Sequence, residues 1–292
     1  MKDTSGEKIF YVVNYVILTI MGLSCVLPLI NIIATSLSDN ASIAAGQVFL
    51  WPKGLNISSY KLFFQGSRAL TAVKNSLIIT SVSVLLNVTA TIIAAYPISR
   101  KYFIGRKTVT LAIVFTMLFG GGIIPYYLLL KHLGFINHYT ALWIPGMVSV
   151  YNMLVMKSFF ENIPEELVES ANIDGCGEIG TLVRIILPLS TAIIATITLF
   201  YTVGAWNSFT SVLLYIPDAK KHNLPVMVQQ MIASQQFMQE LTQQEWEMEA
   251  QNITPESVRA AGVILLVFPM MVLYPFLQKH FVKGVMLGSI KG

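Results

Sequence analysis

Charged residues leave long gaps in this chain, and those gaps constrain its fold more than any other feature. Six stretches of 19 residues or more contain no Asp, Glu, Lys or Arg: residues 9–38, 75–99, 108–130, 132–156, 185–217 and 260–278. A bilayer core takes about 20 apolar residues as an α-helix, so each stretch can hold one transmembrane helix. The fifth run exceeds one span, and part of it is expected to emerge as loop. No alternation of polar and apolar residues suggests a membrane β-barrel. Of the 292 residues, 54% are hydrophobic and 12% charged, about half the charge of a soluble domain. An ordinary soluble enzyme or a disordered chain is excluded by that balance. The expected fold is all-α, a polytopic bundle of six transmembrane helices forming a single domain over 1–292.

The charges that remain set the orientation. Arg100, Lys101, Arg106 and Lys107 crowd the short loop after the second run. Lys2 and Lys8 precede the first run, and Lys279, Lys283 and Lys291 follow the last. Short loops rich in Lys and Arg stay cytoplasmic, so both termini, the 100–107 loop and the loop after the fourth run are expected inside. Segments 39–70, 131–138 and 218–257 are expected outside. The first run is longer than a signal-peptide core and lacks a clear cleavage site, so it reads as a retained helix. The net charge of +4 follows from this topology and gives no support for nucleic-acid binding.

The membrane part carries no visible chemistry. Ionisable residues are essentially absent from the span centres, whereas ion and proton pathways usually need them. Lys74, Lys131 and Lys157 lie at span ends, where they can snorkel. His132 and His138 flank a short external turn as interfacial polar groups. Neither H-E-x-x-H nor G-x-S-x-G occurs. Gly105 to Thr108 lacks the upstream glycine spacing of a phosphate loop. Cys25 and Cys176 fall on different segments and read as inert thiols. No catalytic residue, metal ligand or cofactor is expected in this chain.

The loop after the fourth run, 161–188, is the informative exception. Pro164, Glu165 and Glu166 make a good helix start, because proline fits the first turn and acids favour the positive helix end. Leu167, Val168 and Ala171 share a face. Asp174-Gly175 then breaks the helix, a second short helix runs from Glu178 towards Ile186, and Pro188 leads into the next span. By its residues alone, this is either an amphipathic connector at the membrane surface or a helix–turn–helix offered to a cytosolic partner.

Glu169-Ser170-Ala171, Asp174-Gly175 and Leu187-Pro188 resemble the EAA loop of ABC importer permeases, whose pattern is E-A-A-x-x-D-G-A followed by I-x-L-P. Ser170 and Cys176 depart from it by small replacements. Asn75-Ser76-Leu77, the stretch from Ala95 to Arg100, Phe103 to Lys107, Gly134 to Asn137, Ala141-Leu142 and Trp206-Asn207 resemble carbohydrate-uptake permeases of this type. Gly120 to Tyr127 resembles the polysaccharide and oligosaccharide subgroup.

The resemblance implies a type I importer subunit in the bacterial cytoplasmic membrane. Its partners would be a second, homologous permease, two cytoplasmic ATPases holding ATP and Mg, and an external solute-binding protein. The cargo would be an oligosaccharide, including uronate-type sugars. The EAA helix would dock in an ATPase groove, with Glu169 and Asp174 as polar contacts, Leu167 and Ala171 as the packed face, Ser170 between them and Gly175 at the turn. Trp206, Asn207, Tyr201, Tyr151 and Asn152 are the candidates for the sugar path. The alternatives are a permease for another solute, an ion-coupled secondary carrier and a structural scaffold. The Gln-rich part of 218–257, from Gln229 to Gln251, is expected to form an exposed helix that contacts the binding protein or guards the channel mouth, or a solvated elaboration.

Overall fold

The computed structural model describes residues 5–65, 67–233 and 254–289. In chain order the helices are α1 (Ser5–Ser36), α2 (Asn40–Ala44), α3 (Ser58–Gln65), α4 (Ser67–Ser99), α5 (Arg106–Leu118), α6 (Ile123–His132), α7 (Thr140–Trp143), α8 (Val150–Glu161), α9 (Glu165–Ile173), α10 (Glu178–Thr181), α11 (Leu187–Leu189), α12 (Thr191–Trp206), α13 (Phe209–Tyr215), α14 (Leu224–Ala233) and α15 (Pro255–Ser289). A π-helical turn, Leu182–Ile186, links α10 to α11. No β-strand occurs among the described residues.

Three helical stretches are long and apolar enough to cross a membrane: Gly6–Ser36, Arg68–Ser99 and Pro255–Pro275. Two more candidate spans are bent pairs. Arg106–Leu118 and Ile123–His132 meet at 110°, and Glu178–Leu189 and Thr191–Trp206 meet at 83°. Gly120, Gly121 and Gly122 occupy the first bend, with Gly122 at φ +82°, a conformation that glycine adopts without steric cost.

The fourth charge-free run does not form one helix, contrary to expectation. Gly134 and Asn137 take positive φ, and Pro145-Gly146 separates α7 from α8. Together they divide the run between the end of α6, a turn, α7 and α8. The fifth run breaks at Asn207-Ser208, so α12 is followed by the short α13. This agrees with a run too long for one span.

The chain divides into two compact units, one of Met1–Leu70 and Val228–Phe268, the other of Thr71–Met227 and Pro269–Gly292. In the first unit, the most apolar window of α1 has nothing buried against the rest of the chain, which suits a surface covered by lipid or another subunit. The loop that follows is pinned. Asn31 Nδ2 donates to the Phe49 carbonyl at 2.8 Å, and Asp39 caps α2 by accepting from Ser42 N at 2.7 Å. Gly262 of α15 is packed closely: an added Cβ would lie 3.1 Å from the Phe63 ring and 3.4 Å from Val228.

The second unit has a core of its own. Ala95, Tyr96 and Ile98 of α4 pack with Met153, Met156 and Phe160 of α8, Val168 of α9, and Ile193, Ile197 and Tyr201 of α12. Burying α9 in this core attaches the 161–188 loop to α4, α8 and α12. Gln229 and Gln230 lie on α14, whose Met231 is buried while Gln229 is exposed. Gln235 to Gln251, Lys2 and Lys291 lie outside the described residues.

Candidate functional site

The loop 161–188 forms the expected helix–turn–helix. Glu165 and Glu166 occupy the first turn of α9, where carboxylates offset the positive helix end. The helix closes through Gly175 at φ +80°. Gly175 N donates to the Asn172 carbonyl at 3.1 Å and Cys176 N to the Ala171 carbonyl at 2.9 Å. This is a Schellman closure, which places a left-handed residue after the helix and suits glycine.

The faces of α9 differ from expectation at one position. Val168 and Ala171 are the buried residues. Ala171, expected on the face presented to a partner, is turned inward at 5% exposure. Leu167 stays outside at 41%, joined by Ile173 at 85% and Ile179 at 79%. Glu169, Ser170 and Asp174 are exposed, and Ser170 Oγ donates to the Leu167 carbonyl at 3.1 Å. The outer surface of the loop between Leu167 and Ile179 is therefore three aliphatic side chains among carboxylates.

The end of α4 grips this loop through residues that sequence reasoning did not assign to it. Tyr96 and Tyr102 both donate to Glu178 Oε2, at 2.9 and 2.7 Å. Burial, and then the Glu178 carboxylate, push the Tyr102 hydroxyl up to about 12, so it keeps its proton and stays a donor. Arg100 lies 5.0 Å from the centre of the Tyr96 ring and donates from Nη2 to the Phe160 carbonyl at 3.1 Å. Lys101 pairs with Glu165, and that contact raises the lysine's proton affinity. Arg106 lies 3.3 Å from Glu161.

A second polar knot ties down segment 216–224. Asn75 Nδ2 donates to the carbonyls of Lys220 and His222, both at 2.9 Å, and Ser76 Oγ accepts from Leu224 N at 2.8 Å. Asn137 Oδ1 accepts from Asp218 N, while its carbonyl accepts from Lys221 Nζ. The Asn75-Ser76 and Gly134–Asn137 motifs thus act on a segment far away in sequence.

The five candidates for a sugar path separate into two groups. Tyr201 is buried, accepts from Ser149 N at 2.9 Å and shares a 2.7 Å hydrogen bond with Thr91 Oγ1, so its hydroxyl joins α12 to α4 and to the start of α8. Trp206 and Asn152 are buried too, at 3% and 6% exposure. Tyr151 is 56% exposed, its ring 6.5 Å from that of Phe200. Asn207 is exposed and ends α12, its amide donating to the Val203 carbonyl. Only Tyr151 and Asn207 present themselves to solvent in this conformation. Tyr201→Phe is expected to cost about 1–2 kcal/mol, because both hydroxyl partners lose their bond. A thermal melt of the purified protein would read this, and an unchanged midpoint would show that the bonds carry no stability.

Among the described residues no group of His, Cys, Asp or Glu is arranged to hold a metal ion. Residues 77–287 match the family described as binding-protein-dependent transport system inner membrane component. The protein LplC of Bacillus subtilis is 38% identical, over 100% of this chain and 98% of its own length. The polygalacturonan/rhamnogalacturonan transport system permease protein YtcP of Bacillus subtilis is 36% identical, over 98% of this chain and 99% of its own. Among solved structures, a chain of a bacterial ABC transporter involved in the import of the acidic polysaccharide alginate superposes with a TM-score of 0.88 at 26% identity, covering 96% of this chain and 99% of that one. The loop, the spans and the length of these matches agree: the chain belongs to the binding-protein-dependent transport system inner membrane components, and is a transport subunit, a permease, not itself an enzyme.

Proposed function

We propose that this permease carries an oligosaccharide bearing carboxylates into the cell, in a complex with a second permease, two cytoplasmic ATPases and an external binding protein. ATP and Mg belong to the ATPases, and both termini face the cytoplasm. The observation that carries the reading is the exposed aliphatic surface of Leu167, Ile173 and Ile179 on a loop whose opposite face is buried in the transmembrane core. A loop built that way can pass a push from a docked partner into α4, α8 and α12. The acidic cargo is supported by the polygalacturonan relative and the alginate importer chain. Tyr151 and Asn207 are proposed to meet the sugar by stacking and amide hydrogen bonding, while Tyr201, Asn152 and Trp206 hold the helices that carry them. Glu169, Ser170 and Asp174 are proposed to border the ATPase contact.

Two measurements test this. Ile173→Asp places a charge in the exposed apolar surface and is expected to reduce co-purified ATPase on the order of tenfold, as burial of an unpaired charge in an interface would, with membrane insertion unchanged. Full recovery of the ATPase would remove the loop from the docking role. ATP-dependent uptake into vesicles is expected for oligogalacturonides in preference to malto-oligosaccharides. The reverse preference would overturn the acidic cargo and leave the permease role standing.

A further inference from the structure

We propose that Glu178 is a positioning residue, the latch through which the coupling loop moves the cytoplasmic end of α4 as one body with itself. The proposal rests on reading 161–188 as the coupling loop and adds the element to which its displacement is passed.

Buried apolar contacts join α9 to the core, but they can slide. Val168 and Ala171 are the only residues of α9 that are buried, and two small aliphatic side chains give little directional restraint. Directional restraint comes from the polar end of the loop. Glu178 opens α10, immediately after the Schellman turn and Gly177. One of its carboxylate oxygens receives two hydroxyls, from the last turn of α4 (Tyr96) and from the turn after it (Tyr102). Hydrogen bonds to an ionised acceptor are roughly twice as strong as neutral ones. Two donors from fixed points on one segment also define a direction as well as a distance. Arg100 holds the Tyr96 ring from its face and is itself anchored on the Phe160 carbonyl at the end of α8. Lys101 on Glu165 adds a second attachment at the start of α9. The loop is therefore held to the end of α4 before and after the turn that an ATPase would push. Glu178 is spent on that attachment, in contrast to Glu169 and Asp174.

The test is made in the assembled complex with its ATPases, in a Cys25→Ser and Cys176→Ser background. Spin labels are placed at Ile104→Cys, in the turn after α4, and at Asn172→Cys, in α9; both side chains are exposed. With Glu178 present, the 104–172 distance distribution is expected to be narrow and to keep its mean between the nucleotide-free and vanadate-trapped states. Glu178→Ala and Tyr96→Phe/Tyr102→Phe are expected to broaden it. Oligogalacturonide uptake per ATP hydrolysed should fall several-fold in both, with assembly and hydrolysis retained. Glu178→Gln keeps an acceptor oxygen and should restore most of the coupling. Unchanged distributions in both disrupted variants would overturn the latch. Loss of ATPase binding by Glu178→Ala but not by Tyr96→Phe/Tyr102→Phe would also overturn it, by assigning the carboxylate to the docking surface. An absence of ATP-dependent oligogalacturonide uptake by the unsubstituted complex would count against the acidic cargo, while the distance measurement would still decide the latch.

Discussion

Gly175→Asp is expected to insert and assemble with its ATPases, to hydrolyse ATP, and to lose uptake on the order of tenfold, within the range of coupling free energies between sites. The backbone explains why the loop survives. Gly175 sits at φ +80°, and an added Cβ there would meet nothing within 4 Å. The cost is conformational, about 1–2 kcal/mol for an ordinary L-residue in the left-handed region, and aspartate is among the side chains that tolerate it best. The hydrogen bonds from Gly175 N and Cys176 N involve backbone atoms only and can persist. What changes is the surface: a new carboxylate stands beside Asp174, between the exposed Ile173 and Ile179. Gly175→Asn separates shape from charge. It makes the same backbone demand without the charge, so it should keep most of the uptake. Equal loss in both variants would place the defect in the backbone, and normal uptake by Gly175→Asp would remove Gly175 from the coupling surface. The measurement is ATPase rate and vesicle uptake on the same preparation.

The parts of this architecture that were legible in the sequence are those set by local physics. Charge-free runs mark spans because a charge in lipid is costly wherever it lies. Pro164 and Gly175 mark the ends of α9 because a fixed φ and a left-handed φ are properties of single residues. The inward face of α9 was not legible in the same way. Leu167 lies four residues before Ala171 and Val168 lies three before it, and both spacings bring side chains together on a helix. Only the packing of α9 into the core that also holds Phe160 and Ile186 chooses Val168. Periodicity likewise could not foresee that the fourth run breaks, since its residues stay apolar across Pro145-Gly146. The latch was further out of reach: Tyr96 and Tyr102 meet Glu178 from 82 and 76 residues away, and hydroxyls at the end of an apolar helix look like ordinary interface anchors.

Trp206→Ala shows how the same limit bears on the sugar path. An indole late in a span can stack on a sugar or fill a core, and its neighbours in sequence do not distinguish the two. In this conformation the ring is buried at 3% exposure. Removing it should therefore destabilise the protein by about 3–5 kcal/mol, the usual loss of a large buried aromatic together with the cavity it leaves. The expected result is a clear fall in the thermal midpoint of the purified complex, with uptake falling in proportion to the folded fraction, and Trp206→Phe should recover most of both. Asn207→Ala is expected to do the opposite. That side chain is exposed at the end of α12, its amide bond to the Val203 carbonyl is a backbone bond, and the midpoint should hold while uptake falls. If Trp206→Ala kept its midpoint and lost uptake, the ring would have to leave its packed position during transport and meet the sugar there. The pair of variants, melted and assayed side by side, decides which of two adjacent residues packs the span and which faces the cargo.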